Sequence, residues 1–134
     1  MVVVVVAISG IIVGAALFIR SGVWLGHLDT SVGSSRVIYA AAEEYKRIHP
    51  EKGYPTSLRD LEAGGYIDSV LGSGQKSGYR WTYVPKATAG TTRVTGFELH
   101  ADPTDGNTLH FYMDESGIVR YSEGKPADKS SLPM

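Results

Sequence analysis

The sequence predicts an α+β fold: a long N-terminal helix, apolar in its first half and amphipathic in its second, packed on a four-stranded antiparallel sheet. Three observations carry that expectation. Residues 1–19 contain no charge. Apolar positions then recur at three- and four-residue spacing as far as residue 48, as one buried helix face requires. After residue 79 four short stretches alternate or are rich in β-formers. The expected organisation is a hydrophobic stem over residues 1–22 and a globular unit over 23–134.

The opening run is MVVVVVAISGIIVGAALFI, followed by Arg20. At about 1.5 Å per residue it would cover most of a hydrocarbon core of about 30 Å. A secretory signal would carry a basic segment before a shorter apolar one, and here only Met1 precedes the valines. A helix apolar on all sides belongs in lipid or against other helices, so membrane insertion at some stage is expected. Valine's poor helix propensity in water matters little where the alternative is unpaired backbone in lipid. Gly10 and Gly14 have the spacing that lets helices approach closely, although small residues are also simply frequent in membrane spans.

From Val23 to Ile48 the apolar set includes Trp24, Leu28, Val32, Ile38, Ala41, Ala42 and Tyr45, with charges mostly on the other side. Lys46 and Arg47 sit where a helix dipole favours cations. His49-Pro50 ends the pattern, because the residue before proline avoids the α region. The expected helix is up to about 47 residues long.

Gly53-Tyr54-Pro55 reads as a turn, and Ser57 as the cap of a short helix with Asp60 three residues on. Gly64-Gly65 closes that helix, and residues 71–78 read as a flexible loop. Strands are expected at 79–84, 93–101, 109–114 and 118–122. Gly117 is expected at the left-handed position of a three-residue hairpin turn. The tail from Gly124 shows no pattern and is expected to be an extended, poorly ordered end.

Composition excludes several functions. The net charge is −1, and residues 21–134 hold twelve basic and fourteen acidic side chains, which is not the basic footprint of a nucleic-acid binder. There is no cysteine, hence no disulfide framework and no thiolate site. His100, Asp102 and His110 would have to converge on one face to bind zinc, and surface histidines are the plainer reading. Asp102, Asp105 and Asn107 offer oxygen donors, but their spacing misses the EF-hand pattern, so a bare turn is favoured over calcium. No nucleophile elbow or phosphate loop occurs. No enzyme and no cofactor are expected.

Three blocks resemble the type IV pilin family, in its short cysteine-free bacterial form. VVVVVAISGIIVGAA resembles the pilin and pseudopilin stem. SLRDLEAGGYIDSVLGSGQKSGYRWTYVP resembles the segment after the long helix, and FELHADPTDG with LHFYMDESGIVRYSEGKPA resembles the last strands. The resemblance implies a filament subunit, with processing of a precursor in the inner membrane and bundling of stems in an extracellular cell-surface polymer. The chief partner would be the chain itself, helped by pilus or secretion assembly machinery. The assembly residues would be Val2, Val3, Val4, Val5, Val6, Ile8, Gly10, Ile11, Ile12, Val13, Gly14, Leu17 and Phe18.

The stem departs from the family pattern. The family's glutamate position falls on Met1, and its proline position on Phe18. A start upstream of Met1, a shortened form and a divergent single-pass anchor are the three explanations, the first being the expectation. A minor pilin or a type II secretion pseudopilin is the nearest alternative, and a membrane-anchored binding domain a third.

Overall fold

The computed structural model describes residues 22–134, with side-chain surroundings from residue 31. Helix α1 spans Gly22–Ile48. Its buried face is Ser31, Ser34, Ser35, Ile38, Ala41 and Ala42, while Arg36, Val37, Ala40, Arg47 and Ile48 are exposed. Serine competes with helical hydrogen bonding, and the Ser35 hydroxyl is satisfied by donating to the Ser31 carbonyl at 2.9 Å. Beyond α1 the chain turns at Pro50, with the Gly53 N–H bonded to the His49 carbonyl at 2.9 Å.

Helix α2 is Leu58–Ala63 and helix α3 is Ser69–Gly72. Ser57 caps α2 as expected, its hydroxyl accepting from the Asp60 N–H at 3.1 Å. The Asp60 carboxylate turns back to the Thr56 N–H and hydroxyl. Helix α3 replaces the start of the expected loop: Asp68 caps it by accepting from the Leu71 N–H at 2.9 Å, a satisfied orphan donor.

Six strands follow: β1 Gln75–Lys76, β2 Tyr79–Ala87, β3 Val94–Pro103, β4 Leu109–Asp114, β5 Arg120–Glu123 and β6 Leu132–Pro133. They form one antiparallel sheet in sequence order. The expected fold, a long helix on a four-stranded sheet, is therefore corrected, the first part of that helix lying outside the described residues. The sheet has six strands, and α1, at 27 residues, is the only helix of seven residues or more among the described residues. The two added strands are two residues each. So short a strand has no side-chain period to read, and exists only because a longer neighbour offers its edge.

The central strands alternate as a one-sided sheet does. Tyr79, Trp81, Phe97, Leu99, Ala101, Leu109, Phe111 and Met113 are buried in one cluster with Ile38, Ala41 and Ala42 of α1 and Leu58 and Leu61 of α2. Phe97 is fully buried, with the Tyr54 ring edge-on and the Tyr83 ring stacked, each centroid 5.2 Å away. The buried Tyr79 hydroxyl donates to the Leu109 carbonyl at 2.9 Å and accepts from the Asn107 amide at 3.1 Å. Burial pushes its pKa up to about 12, Ser31 opposing and Asp105 adding to the rise.

Pro85 lies inside β2, opposite Phe97, where an interior strand would reject it. The Trp81 N–H donates to the Gly74 carbonyl at 2.7 Å, away from β3. With a period of two, position 85 faces the same open edge, so its missing N–H breaks no ladder bond. That is why the strand runs beyond its expected end.

Candidate functional site

All thirteen residues expected to carry assembly, Val2, Val3, Val4, Val5, Val6, Ile8, Gly10, Ile11, Ile12, Val13, Gly14, Leu17 and Phe18, lie outside the described residues. Among the described residues, no helix is long and apolar enough to cross a membrane. The nearest described element is α1. Its side away from the sheet combines two arginines, Arg36 and Arg47, with exposed Val37 and Ile48.

The outer face of the sheet gathers the chemistry-bearing side chains. His100 stands opposite Tyr112, and Tyr112 opposite Arg120. One rung further, His110 Nδ1 lies 2.7 Å from Asp102 Oδ1, and Ser122 stands opposite His110 on β5. His100 Nε2 turns instead to Glu98 Oε1 at 3.2 Å. The three residues considered for zinc thus share a face, but only Asp102 and His110 pair. Among the described residues no group of three or more histidine or acidic side chains could hold a metal ion. Asp102, His110 and Ser122 follow one another across three strands, yet the Ser122 hydroxyl donates to the Lys125 carbonyl at 2.7 Å. A nucleophile must be bonded to its base, and this serine is not. In the 101–107 turn, Asp105 accepts from the Asn107 N–H and Asn107 from the Leu109 N–H, which is turn chemistry.

The segment after β5 is tied down over this face. Ser122 holds the Lys125 carbonyl, and the Arg120 guanidinium donates to the Ser131 carbonyl at 3.0 Å. Tyr112, on the outer face, is only 2% exposed, and Ala127 in that segment is buried too. Burial, then Glu98 and Asp114, push the Tyr112 phenol above its ordinary range, so it stays a donor to Asp114 at 3.3 Å. The tail without sequence pattern is therefore ordered, ending in β6.

Glu115 was not singled out by sequence, because its partners are distant in the chain. Its carboxylate accepts from the Phe97 N–H at 2.9 Å and pairs with Lys86 at 3.2 Å. It thereby fastens the β4–β5 turn to the bulge between Lys86 and Ala87. Burial alone would raise its pKa, but the Phe97 N–H, its own N–H and Lys86 outweigh that and lower it. A carboxyl with a folded pKa below its unfolded one adds stability above the ordinary glutamate range, lost as pH falls through the folded pKa. Its side chain is 38% exposed, so screening trims the gain. Glu115→Gln is expected to cost about 1 kcal/mol at neutral pH. The gap from the parent should close as pH falls below the ordinary glutamate range, in urea titrations across pH.

Comparison of the chain with protein-family models, with curated proteins and with solved structures yields no match.

Proposed function

We propose that this chain is the structural subunit of an extracellular type IV pilus-like filament, polymerising with copies of itself through its apolar N-terminal run. The observation that carries the reading is the order of the chain. Nineteen uncharged residues precede, with only Arg20 and Ser21 between, a helix seated on an antiparallel sheet. An apolar run of that length needs lipid or apolar neighbours. The inner membrane is its host before assembly, and pilus assembly machinery moves it from one to the other. Gly10 and Gly14 are the places of closest approach between neighbouring stems. The exposed side of α1 faces neighbouring copies.

Shearing cells that express the chain should release it as fibres that sediment. Ile11→Lys puts a charge in the middle of the run, at a cost of about 3 kcal/mol in lipid, and should leave the sheared fraction empty. A parent chain that stays wholly in membranes, with no fibres on shearing, overturns the filament.

A further inference from the structure

Both edges of the sheet carry a guard against strand addition. Pro85 turns its missing N–H to the open edge of β2. At the other edge the Met134 N–H bonds the Val119 carbonyl at 2.8 Å, so with a period of two Pro133 of β6 faces away from β5. A proline facing outward offers no donor to an added strand. Side-chain surfaces are left for contacts between copies.

One such surface is the outward stripe of α1. Val37 is 49% exposed. Arg36 beside it is exposed and forms no ion pair among the described residues. Arg47, farther along the stripe, is already paired with Glu44. The free charge of the stripe is therefore positive.

A second surface is the segment from Glu62 to Val70, whose only charges are Glu62 and Asp68. Val70 is 50% exposed. Neither carboxylate has a cationic partner among the described residues. An added Cβ at Gly72 would meet the Glu62 carboxylate, so Glu62 lies across α3, the helix that Asp68 caps and Val70 belongs to. An exposed valine among unpaired acids here complements an exposed valine beside an unpaired arginine on α1.

Within one copy the two surfaces stand apart. Tyr66, in the acidic segment, packs edge-on to Tyr45 of α1, the centroids 5.9 Å apart. Val37 lies eight residues before Tyr45, about 12 Å along the helix axis. Copies inserted in one membrane share one orientation. A second copy displaced by about that distance along the axis brings its acidic segment level with Val37 of the first. Because the two surfaces differ, each copy keeps one of them free for a further copy, and repetition gives an open polymer.

We propose that Arg36 and Val37 of one copy dock on Glu62, Asp68 and Val70 of the next. The contact rests on the filament reading, and adds which surface of the second copy meets α1. The two valines bury each other, and the arginine between two acids sets the register of the pair.

The chain has no cysteine, so introduced ones report contacts cleanly. Full-length Val37→Cys and Val70→Cys chains with different tags are co-expressed, and the sheared fibres are oxidised. A disulfide-linked dimer holding both tags is expected. Val37→Cys with Leu132→Cys, at a position 64% exposed on β6, is expected to give none. All three positions are exposed, so the variants should fold. Arg36→Glu should lower the yield of sheared fibres about tenfold, because like charges across a contact repel, and adding Glu62→Arg should restore it. A parent that gives no fibres overturns the filament reading and the contact with it. Parent fibres with no mixed dimer between positions 37 and 70, an equal dimer with Leu132→Cys, a parent-like yield of Arg36→Glu, or no rescue by Glu62→Arg overturns the contact alone and leaves the filament standing.

Discussion

Phe97→Ala is expected to destabilise the fold by about 3–5 kcal/mol, the range for emptying a fully buried phenylalanine. Phe97 is 0% exposed and sits between two aromatic rings from different parts of the chain, Tyr54 before α2 and Tyr83 on β2. Removing it leaves a cavity that the six-stranded sheet cannot close, because its neighbours Gly96 and Glu98 on β3 are held in register with β2. The lost ring contacts add about 1 kcal/mol each to the loss of buried area. Urea unfolding followed by intrinsic fluorescence measures the change, with the buried Trp81 as reporter. Val37→Ala, at a position 49% exposed, should move the midpoint by less than about 0.5 kcal/mol. Equal effects of the two substitutions would refute this account of the core.

Gly53→Ala is expected to cost about 3 kcal/mol, through backbone rather than core. Gly53 has φ +82°, and an added Cβ would lie 2.1 Å from the Val94 carbonyl oxygen. The left-handed conformation itself costs a side chain about 1–2 kcal/mol. The larger effect is the clash, since Gly53 bridges to Val94 and two bonds flank the bridge. The Val94 N–H donates to Lys52 and the Tyr54 N–H to the Val94 carbonyl, both at 2.9 Å. Each lost backbone bond is worth about 1 kcal/mol, and Tyr54 would be pulled from Phe97. Gly65→Ala is the control. It has φ +80°, but nothing lies within 4 Å of an added Cβ, so only the conformational cost of about 1 kcal/mol applies. Thermal and urea unfolding of both variants separates clash from strain, and equal losses would show that the bridge contributes nothing.

What could be read in advance was local. The stop of α1 at His49-Pro50, the Ser57 cap, the close at Gly64-Gly65 and the turn at Gly117, with φ +78°, all follow from conformational limits that a residue imposes on its own neighbourhood. The four longer strands were legible for a similar reason, since alternation over several residues encodes one buried face. β2 ran longer than expected because the rule against proline in strands relaxes at an open edge, and edges are a property of the sheet.

By itself, the sequence determined the helix that covers the core, the order of the longer strands, the absence of cysteine chemistry, and the uncharged composition of its first nineteen residues. Only the tertiary structure decided that the sheet has six strands, that the patternless tail is tied across its outer face, and that His110 pairs with Asp102 while His100 turns to Glu98. It alone brought the Glu115 carboxylate to the Phe97 N–H. The physical reason is the same in each case. These features depend on which distant residues the sheet register brings into contact, and two-residue strands or single side chains carry no periodic signal of their own.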